Sequence, residues 1–176
     1  NFTRTYNRKD FESNTFGKTM LDVMHENGTN VVAIGKIEDL FSGRGIDKAI
    51  HTNGNADGIE KTIEEINKDT KGLIFTNLVD TDMLYGHRNN IEGYARALEY
   101  FDSKLPEIMS KMKENDMLII TGDHGNDPST PSTDHSREYT PILVYGKHIK
   151  ENVNLGIRST FEDISADISK ESYTAR

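Results

Sequence analysis

The sequence predicts an α/β fold: a mainly parallel sheet with helices on both faces. Two observations lead there. Short apolar runs, such as Met117-Leu-Ile-Ile120 and Gly72-Leu-Ile-Phe-Thr-Asn-Leu-Val79, read as buried strands. The segments between them carry apolar residues at helical spacing, so strands and amphipathic helices alternate as they do in βαβ units. Parallel sheets made this way need both faces covered.

Taken in order, residues 1–15 are polar and aperiodic and read as a linker. Met20, Leu21, Val23 and Met24 give residues 19–26 a helical face, and Asn27-Gly28 closes it as a C-cap. A strand follows at 30–35. Residues 36–56 read as a connection, because Gly43-Arg-Gly45 and Asn53-Gly-Asn55 are turn sequences. Ile59, Ile63 and Ile66 line a helix from residue 58 to 67, and the strand at 72–79 comes next. Between 91 and 113, Ile91, Tyr94, Ala95, Leu98, Phe101, Leu105, Ile108, Met109 and Met112 keep helical spacing, with Pro106 marking where a break would fall. Strands at 117–121 and 140–145 flank a long loop. A last helix at 160–168, capped by Ser159 or Thr160, turns Phe161, Ile164 and Ile168 inward.

Composition narrows the function. A chain of 176 residues can bury one sizeable core. Its net charge of −8 argues against a nucleic-acid binder with a broad basic face. No run approaches the ~18 apolar residues of a membrane span, so no membrane partner is expected. The opening Asn-Phe-Thr-Arg carries no apolar leader, and the absence of cysteine excludes thiolate metal sites; both fit a cytoplasmic protein.

The chemistry concentrates beyond two strand ends. Asp80-Thr-Asp82, with His87 behind it, leaves the strand at 72–79. Gly122-Asp-His-Gly-Asn-Asp127 and then Thr133-Asp-His135 leave the strand at 117–121. Strand ends of an α/β sheet are where ligands bind, and carboxylates mixed with imidazoles suit a divalent metal such as Mn or Zn better than Ca or Mg. Asp82, His87 and His135 form one ligand set; Asp123 and His124 form a second, incomplete one. Two such ions about 3.5–4 Å apart clamp a transferring phosphoryl group. Asp80, Asn126, Asp127 and Asp134 then orient imidazoles or support the loop. Lys36, Arg44, Arg4 and Arg8 are weaker candidates to meet a sugar phosphate, with ordinary solvated side chains as the alternative. Asn53-x-Asn55-x-Asp57-Gly58 nearly fits a calcium loop, but its first position is Asn and Glu60 fills an apolar slot. It reads instead as a turn entering a helix, with Asp57 near the helix N-terminus.

These residues resemble a known family. The run from Asn77 through Asp-Thr-Asp-Met-Leu-Tyr-Gly-His-Arg88, Gly122-Asp-His-Gly-Asn-Asp-Pro128 and Thr133-Asp-His-Ser-Arg-Glu-Tyr139 are similar to the C-terminal half of the phosphopentomutases. Those enzymes belong to the alkaline-phosphatase superfamily. Ala33-Ile-Gly-Lys-Ile37, Gly43-Arg-Gly-Ile46 and Phe2-Thr-Arg-Thr-Tyr-Asn-Arg8 also resemble family segments. The resemblance implies that Asp82, His87 and His135 hold one Mn ion and that Asp123 and His124 hold the other. It implies interconversion of ribose 1-phosphate and ribose 5-phosphate, and of the 2-deoxy pair, through a phosphorylated threonine primed by a sugar bisphosphate. It also implies that residues 1–15 lead from a cap domain and that 16–176 form part of the phosphotransfer core. Gly-Asp-His-Gly alone is shared across the superfamily, so another mutase or phosphatase, or a non-catalytic metal-binding fragment, are the competing readings.

The family's nucleophilic threonine and its first-strand metal-binding aspartate belong to an N-terminal segment with no counterpart in these residues. That missing segment is therefore the expected partner. The isolated chain is accordingly expected not to turn over pentose phosphates; mutase activity without an added N-terminal segment would overturn this expectation.

Overall fold

The computed structural model describes residues 16–68, 71–166 and 168; the candidates Arg4 and Arg8 lie outside them. The described residues divide into two units. The first runs to Met112 and includes His124–Glu138; the second comprises Lys113–Asp123 and the residues from Tyr139 onward.

In the first unit, helix α1 (Met20–Glu26) begins at a capping box. The Thr19 hydroxyl accepts the Asp22 amide, and the Asp22 carboxylate accepts the Thr19 amide at 2.8 Å. That backbone bond holds the Asp22 carboxyl below its ordinary value, and the Arg44 guanidinium, 3.0 Å away, acts in the same direction. Arg44, a candidate for a sugar phosphate, thus has a structural partner.

Strand β1 (Asn30–Ile34) is the middle of a three-stranded parallel sheet, between β2 (Lys48–Ile50) and β3 (Gly72–Thr76). Its residues from Val31 to Ile34 are all buried, because successive side chains point to opposite faces and both faces are covered. Val31 and Ala33 join Leu21, Ile37, Leu73 and Phe75 on the side of α1 and the short helix α2 (Ile37–Leu40). On the other face, Ile34 is in register with Thr76, whose hydroxyl meets that of Thr62 in α3 (Asn55–Ile66) at 2.7 Å. Helices therefore cover both faces of this sheet, as the alternating pattern requires.

Parallel strands end on one edge, and here that edge is tightly built. Gly35 turns the chain out of β1 with φ +81°, and a Cβ there would lie 2.5 Å from the carbonyl oxygen of Asn77. The amide of Asn77 donates to the Ile34 carbonyl, so the segments leaving β1 and β3 run side by side. After β3 comes a π-helical turn (Thr81–Tyr85), then a 3₁₀ turn (Gly86–Arg88), then α4 (Ile91–Lys111). Helix α4 starts on the Asn90 side chain, which accepts the Gly93 amide at 2.9 Å. It continues through Pro106: the carbonyl that proline leaves unpaired belongs to exposed Asp102, where water can satisfy it.

Three details differ from the sequence reading. β2 lies inside the stretch read as a connection; it is only three residues long and mostly exposed, so it carries no apolar run. Helix α3 starts at Asn55, so Asp57 and Gly58 are helical, and the Asp57 carboxylate accepts the Asn53 amide at 2.8 Å. The near-calcium loop is a helix start. In the second unit β4 (Leu118–Thr121) and β5 (Ile142–Tyr145) pair antiparallel. Residues 162–166 there are helical behind Thr160, whose hydroxyl accepts the Glu162 amide, but Phe161 is 56 % exposed instead of turned inward. It precedes the helical residues and so lies outside their apolar stripe. Among the described residues no helix is long and apolar enough to cross a membrane.

Glu65 on α3 is 4 % exposed and bonds Lys48 of β2 at 2.7 Å as well as Lys68. Burial alone would push its carboxyl up, but the two ammonium groups outweigh this and hold it below its ordinary 4.5. A depressed carboxyl stabilises the fold above its unfolded value, and that stability is lost as pH falls through the folded pKa. Glu65→Gln should cost about 1.5–3 kcal/mol at pH 7, the worth of charged hydrogen bonds, and flatten the loss of stability below pH ~4.5. Urea titrations at pH 7 and pH 4 check this; an undiminished acid-side loss would refute it.

Candidate metal centre

The site is assembled within the first unit from the π-helical turn and the loop His124–Glu138. Helical turns of the π type insert an extra residue and recur at functional sites. This one presents Asp82 at the carboxyl edge of the parallel sheet. The loop is closed on itself first. Gly125 and Ser136 form an antiparallel bridge, the Ser136 amide donating to the Gly125 carbonyl, and the Asp127 amide donates to the Ser136 hydroxyl at 2.7 Å. Asp127 then accepts from the hydroxyl and amide of Ser129, which hold its carboxyl below the ordinary carboxylate range.

The closed loop is fastened to the turns. The αL residue Asn89 donates its amide to the carbonyls of Thr130 and, at 3.0 Å, of Ser132. His87 donates Nδ1–H to the Thr133 carbonyl at 2.6 Å. Asn126 donates to Asp82 Oδ1 at 2.7 Å. It fits there because residue 86 is glycine: a Cβ at Gly86 would lie 2.2 Å from the Asn126 amide nitrogen.

Asp82 Oδ1 is the focus. His135 Nε2 lies 3.1 Å from it, His87 Nε2 3.3 Å and His124 Nε2 4.0 Å. His124 and His135 stack with centroids 3.8 Å apart, and His87 stands 4.8 Å from His135. The donor set fits a divalent cation. Ligating histidines characteristically give their second ring N–H to a carbonyl, and His87 does so to Thr133 and His124 to the Gly125 carbonyl at 3.2 Å. Each then directs Nε2 toward Asp82. Donor atoms of Asp82, His124 and His135 all lie within 4.8 Å of one another. His124, which the sequence pairs with Asp123, thus joins the cluster of Asp82. The Gly125–Ser136 bridge brings it beside His135 although eleven residues separate them.

The other candidates take varied places. Asp123 is exposed and belongs to the second unit, after β4. Asp80 supports the site from behind: it accepts the Asn55 amide at 2.8 Å, and its own amide donates to the Asn55 side chain, tying the π-helical turn to α3. Lys36 precedes α2 at the carboxyl end of β1. Asp134 lines a cleft of about 520 Å³ with Met83, His87, Arg88 and Thr133. Of the remaining histidines, His25 and His51 are exposed beside Asp47 and Glu38, and in the second unit His148 is exposed beside Glu114. Tyr94 of α4 escaped the sequence reading because it keeps the helix's apolar spacing. Burial pushes its phenol up, and the negative charges of Asp82, Asp127 and Glu138 push the same way.

The profile of the metalloenzyme superfamily matches residues 14–174. The chain is 57% identical to a phosphopentomutase of Acetivibrio thermocellus over 96% of its own length and 44% of that enzyme's. With a phosphopentomutase of Carboxydothermus hydrogenoformans it shares 58% identity over 97% of its own length, again 44% of the relative. The chain thus spans under half the length of these curated relatives. Its fold is like that of a Leishmania mexicana phosphoglycerate mutase crystallised at low cobalt concentration (TM-score 0.59, 17% identity, 74% of this chain and 32% of that one). It is also like that of a Pyrococcus horikoshii protein (TM-score 0.56, 19% identity, 70% of this chain and 39% of that one).

Asn126→Ala removes the bond that orients Asp82, and Gly86→Ala pushes Asn126 off the same spot. Each should weaken metal binding roughly 10- to 100-fold, the usual cost of losing such a supporting partner. Manganese titration followed by calorimetry measures it. Unchanged affinity in both variants would rule out the orienting role.

Proposed function

The chain belongs to the metalloenzyme superfamily, and on that footing we propose that it forms the metal-holding part of a phosphopentomutase. The reaction is the interconversion of ribose 1-phosphate and ribose 5-phosphate, and of the 2-deoxy pair. One observation carries the reading: a carboxylate facing three imidazoles, in a chain that matches phosphopentomutases along nearly all its length.

Asp82, His87 and His135 are assigned to one divalent ion, and Asp123 and His124 to a second. Manganese is the assigned ion, because carboxylate and imidazole together suit it better than the all-oxygen shells of calcium and magnesium. When bound, such ions neutralise charge on the phosphoryl group and favour attack by an oxygen nucleophile. The chain's own residues do the positioning. Asn126 holds the Asp82 carboxylate, Thr133 sets the His87 ring, and Asp127 and Asp134 belong to the loop that carries His124 and His135. Lys36 emerges at the same sheet edge as the π-helical turn, and we assign it to a sugar phosphate. We assign the nucleophilic threonine, primed by a sugar bisphosphate, to a segment outside this chain, with residues 1–15 leading from the cap domain and the rest belonging to the core. The enzyme is assigned to the cytoplasm, with no nucleic-acid or membrane partner.

The complete protein should convert ribose 1-phosphate and leave 3-phosphoglycerate untouched. Chelation should abolish turnover and manganese restore it. Asp82→Ala should lower kcat/KM by at least roughly 100-fold, in line with losing a metal ligand. Turnover of phosphoglycerate without turnover of ribose 1-phosphate would overturn the assignment.

A further inference from the structure

We propose that the cleft beside His87 reads the phosphorylated sugar, Arg88 taking its phosphate and Asp134 its hydroxyl groups; this rests on the mutase reading above. Met83, 8 % exposed, His87 and Thr133 complete the lining of this cleft of about 520 Å³, a size ordinary for a small-molecule site. Among the described residues, neither the Arg88 nor the Asp134 side chain has a partner. Arg88 is exposed, and among the described residues no carboxylate pairs with it, in a chain whose net charge of −8 leaves acids in excess. Arg44, by contrast, is committed to Asp22. The Asp134 carboxylate likewise takes no hydrogen bond among the described residues, whereas Asp127 spends its own on Ser129.

The backbone that carries both groups is nevertheless held by their neighbours. The residues on either side of Arg88 are fastened to the loop just before Asp134: His87 to Thr133 at 2.6 Å, and Asn89 to Ser132 at 3.0 Å. The Asp134 amide is itself bonded to the Ser132 hydroxyl at 3.0 Å. A guanidinium and a carboxylate are thus carried on fastened backbone beside the metal centre, before any ligand arrives. Guanidinium pairs with phosphate through two parallel N–H bonds, and an ionised carboxylate only accepts, as sugar hydroxyls require. The matching ligand carries an anion at one end and hydroxyls at the other. A phosphorylated pentose has that form.

Calorimetric titration of the manganese-loaded complete protein with ribose 5-phosphate and with ribose tests this in the wild type, Arg88→Ala, Arg88→Lys and Asp134→Asn. Arg88→Ala should weaken ribose 5-phosphate binding roughly ten- to hundredfold, the worth of a charged hydrogen bond, while leaving metal stoichiometry intact. Arg88→Lys should recover part of the loss, and Asp134→Asn should weaken both ligands. In kinetics, KM should rise more than kcat falls. Wild-type affinity in Arg88→Ala, loss of metal together with the sugar phosphate, or a wild type that does not bind ribose 5-phosphate would overturn the proposal. An active wild type with unchanged Arg88→Ala affinity removes the cleft and leaves the mutase. A wild type that binds ribose 5-phosphate through Arg88 but interconverts nothing removes the mutase and leaves the cleft.

Discussion

Asp82 Oδ1 takes the Asn126 amide at 2.7 Å and faces the Nε2 atoms of His87, His124 and His135 within 4.0 Å. Every other feature of the centre serves that convergence. The π-helical turn sets the carboxylate at the edge of the sheet. Gly86 leaves the space that Asn126 occupies, and Thr133 and the Gly125 carbonyl choose which ring nitrogens of His87 and His124 face inward. A carboxylate and imidazoles packed this closely form a donor set that could share a cation.

The fold supplies the convergence by simple means. A buried central strand, β1, anchors a parallel sheet whose strands all end on one edge. Gly35 lets the segments leaving β1 and β3 approach closely, and the reciprocal Asp80–Asn55 bonds tie the turn after β3 to the helix on the sheet's other side. The site thus rests on the core instead of on loop structure alone.

Much of this was legible in the residues. β1 and β3 announce themselves by apolar runs, α4 by six turns of regular spacing, and the centre by Asp82, His87 and His135 beyond strand ends. What escaped has physical reasons. β2 is three mostly exposed residues and carries no hydrophobic signal. The place of His124 depends on the Gly125–Ser136 bridge, a tertiary pairing that adjacency to Asp123 conceals. Asn89 was not singled out, yet its αL backbone and side-chain bonds fasten the loop; the doubled Asn89-Asn90 after His87-Arg88 was the available hint. Arg44 read as a candidate for a sugar phosphate because nothing in the local sequence shows that it reaches Asp22, twenty-two residues away.

The stapled loop has a consequence for kinetics. Asn89, His87 and Asp82 hold it from the turn side, and Ser136 holds it from within. Donor atoms so arranged have already lost their conformational freedom during folding, so little ordering is left for the moment of capture. A cation entering such a cradle would meet donors already in place, and little rearrangement of the polypeptide would accompany its capture.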